Sequence, residues 1–310
     1  MPRNPIQPFL DAQGHLVLDG GLATELEARG SKLPPDLWSA GLLLDAPDAI
    51  SAAHLAFLEA GADCIASASY QATVEGFRRR GLDDGRALDV IHSSVTLAVD
   101  ARDRFWANPE SRPGRLRPLV AASVGPYGAF LADGSEYSGR YDLDEDALVE
   151  FHGERLRALF DGGADLIACE TIPSGPEVRA LDRLLAVAGA PAWLSLSCDR
   201  GDRLCDGTKL RDVIGSLKAD GWMAVGFNCT RPELAPELIG TLVELTGLPI
   251  VAYPNSGETW DATAKRWQDE SSSIDLAAAA TQWRDLGARL IGGCCRVGPD
   301  KIRAIRERLS

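Results

Sequence analysis

The sequence lacks the features of a membrane or exported protein. It has no apolar run of about 18 residues, and its first ten residues hold three prolines where a signal peptide would have an apolar core. It also lacks an excess of positive charge, because 32 lysines and arginines face 45 acidic residues and the formal net charge is −13. We therefore predict a cytoplasmic protein with neither nucleic acid nor a membrane as a partner.

Histidines and short cysteine motifs are scarce as well. The four histidines fall in a turn or in predicted helices, and none stands at a predicted strand end: His15, His54, His92 and His152. The sequence therefore offers no histidine for a Ser-His-Asp triad or for a His-based zinc hydrolase. The seven cysteines form no Cys-x-x-Cys pair. In a chain without an export signal, an odd number of cysteines favours thiols, a metal site or catalysis over a disulfide framework.

What the sequence does contain is a repeated pattern in which a helical segment reaches a glycine and an apolar run follows within a few residues. This pattern indicates a helix that ends at glycine and leads into a buried parallel strand. Four copies occur, at residues 59–67, 161–169, 219–227 and 285–293.

Eight apolar runs alternate with helical patterns. They predict one (β/α)8 barrel domain over residues 1–310, with an open doubly wound sheet as the alternative. The predicted strands are 16–18, 64–68, 119–124, 166–169, 192–196, 223–227, 250–253 and 290–293. The predicted helices are 48–59, 85–106, 144–160, 176–188, 209–219, 232–246, 275–286 and 299–309. Helix-to-strand links of three or four residues are expected, whereas the long links 30–47, 125–143, 199–208 and 254–274 follow strands and predict an active site at the C-terminal face.

Acidic and thiol side chains gather where the predicted strands end. A strand end needs neither group for folding, so these residues are candidates for chemistry: Asp19, Glu170, Cys229, Cys294 and Cys295. Three thiols at one rim suit zinc, which prefers a tetrahedral set of soft ligands and can keep one position for a substrate. Adjacent cysteines point to opposite faces of a regular strand, so both reach one ion only if the backbone turns after the glycine pair at 292–293.

Each candidate also has a structural interpretation. Asp19 can belong to an ordinary Asp-Gly-Gly turn, and Glu170 can pair with an arginine in a neighbouring loop. The remaining cysteines are predicted not to be ligands: three are core residues or support the site from behind its lining, and one is a bystander in a polar loop. They are Cys64, Cys169 and Cys198 in the core and Cys205 in the loop.

Taken together, the motifs resemble those of the homocysteine S-methyltransferase family, barrel proteins that methylate homocysteine to methionine. The most specific are Gly-Phe-Asn-Cys at 226–229 and the later Gly-Gly-Cys-Cys-Arg at 292–296. The other matching segments extend over nearly the whole chain, at residues 19–27, 69–73, 123–137, 169–173 and 253–257.

The resemblance implies a role for each of these positions. Zinc would be held by Cys229, Cys294 and Cys295, with the homocysteine sulfur in the fourth place. Asp19 and Glu170 would receive the substrate ammonium group. Its carboxylate would lie near the backbone amides of Gly20, Gly21, Leu22 and Ala23. The pocket around the substrate would be lined by Ser69, Tyr70 and Asn228.

The resemblance also bears on the methyl donor. The Ser-Val-Gly-Pro-Tyr-Gly stretch at 123–128 and the short chain are most similar to family members that use a sulfonium donor, S-methylmethionine or S-adenosylmethionine. Homocysteine, a sulfonium donor and zinc are therefore the expected ligands, without folate or cobalamin. A betaine donor, a non-catalytic zinc- or thiol-binding barrel and a metal-free barrel lyase or isomerase acting through Glu170 stay open. No oligomeric state is predicted.

Overall fold

Eight parallel strands form the centre of the computed structural model, which describes residues 4–34, 36–261, 266–268 and 274–310. Around the sheet each strand pairs with the next one in the chain from β2 to β8, and β8 pairs with β1. A parallel bridge between Leu18 and Cys64 joins β1 to β2, so the barrel is nearly closed. The strands are Leu16–Val17 (β1), Cys64–Ala66 (β2), Leu119–Val124 (β3), Leu166–Ile172 (β4), Ala192–Leu196 (β5), Trp222–Asn228 (β6), Ile250–Tyr253 (β7) and Ala288–Ile291 (β8). The predicted (β/α)8 barrel is confirmed, and the sequential strand order rules out the doubly wound alternative.

Helices surround the barrel and connect its strands. They are Gln7–Gln13 (α1), Leu22–Ala28 (α2), Leu42–Asp45 (α3), Pro47–Glu59 (α4), Val74–Arg79 (α5), Asp84–Ala107 (α6), Tyr127–Leu131 (α7), Glu145–Asp161 (α8), Gly175–Ala188 (α9), Leu210–Ser216 (α10), Ala235–Leu245 (α11), Leu276–Leu286 (α12) and Pro299–Leu309 (α13). Short 3-10 turns cover Trp38–Gly41, Pro109–Ser111, Ser135–Tyr137 and Pro232–Leu234. Two hairpins pair Cys198–Arg200 with Arg203–Leu204 and Thr259–Asp261 with Arg266–Gln268.

The connections differ from the prediction at several places. The link between α6 and β3, residues 108–118, contains a 3-10 turn, so the expectation of three or four residues is wrong there. Five short helices, α1, α2, α3, α5 and α7, were not predicted, because each lies in a segment that pattern alone describes as a terminus or loop. Three of them, α2, α5 and α7, follow β1, β2 and β3 closely and shape the C-terminal face.

Among the described residues, we find no single helix with the length and apolar composition needed to cross a membrane. One pair of helical segments, Trp38–Asp45 and Pro47–Glu59, meets those two criteria together but is bent by 119° at the break between them.

The barrel interior is a packed core that is closed at its N-terminal end. Alternate strand residues such as Leu16, Leu166 and Leu290 are fully buried inside the barrel. Ile6 and Phe9, from the segment that contains α1, belong to the same cluster and cover this end. This covering leaves the C-terminal face as the end at which parallel barrels carry their active sites.

Gly226 allows two neighbouring barrel strands to approach closely. A Cβ atom at this position in β6 would lie 1.8 Å from the Val251 carbonyl oxygen of β7. We expect Gly226→Ala to lower the free energy of unfolding by about 1–3 kcal/mol, since a packed backbone relieves such overlap only by shifting. Denaturant unfolding measures the change.

The matched control is Gly240→Ala in the middle of α11, where no atom lies within 4 Å of the added methyl group. This substitution should leave stability unchanged or raise it slightly, because alanine is the better helix former. Equal stabilities of the two variants would contradict the close strand contact at Gly226.

Candidate active site

A cavity of about 280 Å³ opens at the C-terminal ends of the strands. Its floor is formed by residues that close the strands, and one of its walls by the loop between β3 and α8. Its lining residues come from the segments 19–24, 38–39, 66–71, 132–137, 170–171, 228–229 and 293–295, together with Glu27, Leu33, Ser123 and Tyr253. Every acidic and thiol candidate from the sequence, Asp19, Glu170, Cys229, Cys294 and Cys295, lines this cavity.

Three cysteine sulfurs meet at the rim of the barrel. The Sγ atoms of Cys229, Cys294 and Cys295 all lie within 4.8 Å of one another, and those of Cys229 and Cys295 are 4.0 Å apart. In the part of the chain that the structure describes, this is the one group of three or more such side chains placed to hold a metal ion. Cys229 follows β6, whereas the other two follow β8, so strand order alone brings together residues that are far apart in sequence.

The backbone turn expected at the cysteine pair is present. The Val297 N–H donates a hydrogen bond of 3.1 Å to the Cys294 carbonyl oxygen, which closes a turn around Cys295. Gly21 lies directly against this turn, because a Cβ atom there would come within 2.6 Å of the Cys294 carbonyl oxygen. The glycines after β1 are therefore required for close contact with the turn after β8.

Cys229 and Cys294 are joined by a disulfide, with 5.6 Å between their Cα atoms. Cys295 is a buried free thiol. Metal ions bind cysteine as the thiolate, so the pair must be reduced before all three sulfurs can act as ligands.

Two carboxylates lie on the cavity floor, that of Asp19 buried and that of Glu170 half-buried. The Asp19 Oδ2 atom accepts a hydrogen bond of 2.8 Å from the Ala66 N–H. Both oxygens of Glu170 accept hydrogen bonds from hydroxyl groups, one from Ser123 and one, at 2.9 Å, from Tyr253. Among the described residues Glu170 thus bonds to hydroxyls, and the arginine partner considered for it is not found.

Burial disfavours the ionised forms of both acids. It raises the pKa of Asp19 well above its usual range, with a further contribution from the Glu170 charge, against the hydrogen bond from Ala66. Burial also raises the pKa of Glu170, although the hydrogen bonds from Ser123 and Tyr253 oppose the shift. A cationic ligand between these groups would stabilise both carboxylates, so the cavity floor is suited to an ammonium group.

Two of the predicted substrate contacts, those of Ser69 and Gly21, involve groups that are used within the protein. Ser69 is fully buried behind the cavity, where its Oγ donates to the Ser123 carbonyl oxygen at 2.7 Å, and Ser67 lines the cavity instead. The Gly21 N–H donates to the Val297 carbonyl oxygen at 3.0 Å and is not free for a substrate carboxylate.

Asn228 lines the cavity, but its amide is used within the protein. Its Oδ1 accepts from the Thr171 N–H and its Nδ2 donates to the Thr171 hydroxyl, both at 2.7 Å. The same Nδ2 lies 3.9 Å from the Cys294 sulfur. Asn228 therefore positions Thr171 and one cysteine of the site.

Gly20, Gly21, Leu22, Ala23 and Tyr70 also line the cavity. Burial raises the pKa of the Tyr70 hydroxyl well above its usual range, so this group stays protonated. The four histidines do not appear among the lining residues that the structure describes.

Residues with unusual backbone conformations cluster around the cavity. In the described part of the chain, five non-glycine residues have positive φ: Trp38 (47°), Ala132 (55°), Thr171 (61°), Cys229 (47°) and Arg296 (65°). The first four line the cavity, and the fifth follows Cys295. Such strained positions concentrate at functional sites, where surrounding contacts hold them. Trp38, Ala132 and Thr171 lie in predicted long links or family-matching segments, but none was singled out as a site residue.

A single buried carboxylate anchors both ends of the loop that forms the cavity wall. Glu177 in α9 is fully buried and accepts hydrogen bonds from the Tyr127 N–H at 2.7 Å, from His152 Nε2 at 2.8 Å and from the Tyr141 hydroxyl. Tyr127 precedes the cavity-lining segment 132–137 and Tyr141 follows it. The position of this segment is thus fixed by interactions outside the cavity.

Comparison with known proteins covers nearly the whole chain. The family model described as homocysteine S-methyltransferase matches residues 16–309. Homocysteine S-methyltransferase YbgG of Bacillus subtilis (strain 168) is 47% identical over 97% of this chain and 96% of its own length. The crystal structure of the Escherichia coli homocysteine methyltransferase MmuM in its metallated form has 46% identity and a TM-score of 0.88, covering 98% of this chain and 100% of the other. The oxidized form of that protein has 45% identity and a TM-score of 0.89, covering 99% and 100%.

Proposed function

The chain belongs to the homocysteine S-methyltransferase family, and we propose that it transfers a methyl group from S-methylmethionine or S-adenosylmethionine to homocysteine, forming methionine, with zinc as its metal. The observation that carries this proposal is the convergence of three cysteine sulfurs, within 4.8 Å of one another, in a cavity that is also lined by the carboxylates of Asp19 and Glu170. The metallated form of the E. coli relative supports a metal at such a site. Residues 1–310 act as one domain in this proposal.

The donor set fits zinc. Cys229, Cys294 and Cys295 supply soft sulfur ligands, which zinc prefers, and three protein ligands leave a coordination position for a substrate. When bound, the ion would hold the homocysteine sulfur as a thiolate at neutral pH, where a free thiol with a pKa of about 8.5 is mostly protonated. Reduction of the Cys229–Cys294 disulfide precedes this binding.

The remaining groups orient homocysteine. Asp19 and Glu170 receive its ammonium group, and the hydroxyls of Ser123 and Tyr253 hold Glu170 in place. With the Gly21 amide occupied, Gly20 and the start of α2 at Leu22 and Ala23 are left to face the substrate carboxylate. Fixing both ends of the amino acid in this way would align its sulfur with the donor methyl carbon.

The charge of the cavity favours a sulfonium donor. Acidic side chains line it, and the thiolate sulfurs add negative charge, so a cationic donor is attracted. Because thiolate and sulfonium charges cancel during the displacement, exclusion of water by the 132–137 wall favours the reaction. Part of the second loop expected to cover the site, 254–274, lies outside the described residues.

A donor panel tests this function. The reduced, zinc-loaded protein is incubated with homocysteine that carries a deuterated carbon chain and, in separate assays, with S-methylmethionine, S-adenosylmethionine or betaine. The label distinguishes methionine made from the acceptor from methionine left by demethylation of S-methylmethionine. We expect labelled methionine with a sulfonium donor and none with betaine.

Two outcomes would contradict the proposal. A protein that binds zinc but forms no labelled methionine with either sulfonium donor would be a zinc- or thiol-binding barrel. Full methyl transfer by chelator-treated protein would show that the reaction does not require the metal.

A further inference from the structure

Glu136 differs from the other acidic groups of the cavity. It lies in the 3-10 turn Ser135–Tyr137 on the loop wall, and it lines the cavity. Its Oε2 atom is buried and has no hydrogen-bond partner among the described residues. By contrast, both oxygens of Glu170 and the Oδ2 atom of Asp19 accept hydrogen bonds from the protein. A buried carboxylate oxygen without a donor is costly, which points to a ligand that supplies one.

The position of this carboxylate is set by packing. A Cβ atom on Gly128 would lie 2.4 Å from the Glu136 backbone nitrogen, so the two segments are in close contact. The Glu177 hydrogen bonds to Tyr127 and Tyr141 fix the loop on either side of Glu136. Burial raises the pKa of Glu136 to about 6, so at neutral pH the group is mainly a carboxylate.

The ligand must supply the hydrogen-bond donor that Glu136 lacks, and this requirement limits which chemical groups can bind there. A sulfonium or trimethylammonium group carries charge but no N–H or O–H bond, whereas a primary ammonium group carries three N–H donors. The ammonium group of homocysteine is already assigned to Asp19 and Glu170. If the proposed function holds, the ammonium group left for Glu136 is that of the methyl donor.

We propose that Glu136 binds the ammonium group of an amino-acid sulfonium donor and thereby selects this class over sulfonium compounds without an amino group. The ammonium charge persists throughout the reaction, whereas the sulfonium charge is lost in the transition state. A carboxylate paired with the ammonium group therefore stabilises the bound donor and the transition state alike. Its loss should raise the donor KM and leave kcat nearly unchanged.

The test compares Glu136→Gln with the wild-type protein on two donors. The first is S-methylmethionine, and the second is 4-(dimethylsulfonio)butanoate, the same molecule without its amino group. We expect Glu136→Gln to raise the KM for S-methylmethionine about tenfold, since a hydrogen bond to a charged group is lost. The kinetic constants for the deaminated donor and the KM for homocysteine should change less than about twofold.

Asp142→Asn is the matched control. Asp142 lies on the same loop and is exposed, and it is not among the residues that line the cavity. This variant removes one negative charge and should behave as wild type with both donors. An equal KM increase for the two donors in Glu136→Gln, or no increase at all, would overturn the assignment.

Binding measurements separate this inference from the proposed function. Isothermal titration calorimetry of S-methylmethionine and of its deaminated analogue, with wild-type and Glu136→Gln protein, does not require turnover. If the variant binds S-methylmethionine more weakly than wild type but binds the deaminated analogue equally well, the role of Glu136 is supported even when no methyl transfer is detected. Unchanged binding of S-methylmethionine to the variant refutes that role even if the enzyme is active.

Discussion

Replacement of Cys229 by alanine is expected to abolish both metal binding and methyl transfer. The three sulfurs of the site lie within 4.8 Å of one another, and loss of one leaves two protein ligands where zinc sites use at least three. We expect the affinity for zinc to fall at least about 100-fold and kcat/KM about 1000-fold or more. Metal content by inductively coupled plasma mass spectrometry and labelled methionine formation measure the two effects.

Cys205→Ala is the matched control for this experiment. Cys205 is partly exposed and lies outside the cavity, with its sulfur 3.4 Å from the Ser197 hydroxyl. This variant should retain wild-type zinc content and activity. Stoichiometric zinc in the Cys229→Ala protein would show that this sulfur is not a ligand, whereas turnover without zinc would show that catalysis does not depend on the metal.

The family and the barrel were both predictable from the sequence, and both are confirmed. Strands buried on both faces leave uninterrupted apolar runs, so β3, β5 and β7 match their predicted bounds. The end of β4 was predicted too early, because Glu170 and Thr171 interrupt the apolar run. The ladder nevertheless resumes at Ile172, which pairs with Leu196 of β5.

The predicted core cysteines also lie where the sequence placed them. Cys64, Cys169 and Cys198 are buried in the hydrophobic core, because apolar neighbours on the same strand or hairpin carry them inward. Residues at a strand end are predictable in the same way, since barrel geometry brings every carboxyl end to one face. This reasoning located Asp19 and the cysteine residues of the cavity.

The loop residues of the cavity were not predictable, because contacts far apart in sequence determine their conformation. Glu177 fixes the 127–141 segment from a helix that follows the next strand. The sequence marked this segment as a long link and as a match to the family, but it did not show which of its side chains face the cavity. The orientation of Ser69 was not predictable either, although the contact that determines it is local. Its N–H bonds to the Ser67 carbonyl oxygen in a tight turn, which directs Ser69 behind the cavity.

Replacement of Glu170 by glutamine is expected to raise the KM for homocysteine about 100-fold with little change in kcat. Glutamine keeps the size of the side chain. Its carbonyl oxygen can accept from one of the two hydroxyls, Ser123 or Tyr253, and its NH2 group can donate to the oxygen of the other, so the substitution removes mainly the charge. The fully buried ammonium group would then lack one of its two anionic partners, and loss of one partner of a buried charge pair typically costs about 2–5 kcal/mol. Initial rates at varied homocysteine and saturating donor give both constants.

The acceptor without an amino group provides the control. With 4-mercaptobutanoate, which is homocysteine lacking that group, the wild-type protein should already be impaired, and Glu170→Gln should add little further loss. This pattern would tie the effect of Glu170 to the ammonium group, because an interaction that is absent from the substrate cannot be lost a second time. An equal loss with both acceptors, or a fall in kcat alone, would mean that Glu170 acts on the reacting sulfur or on the metal site instead.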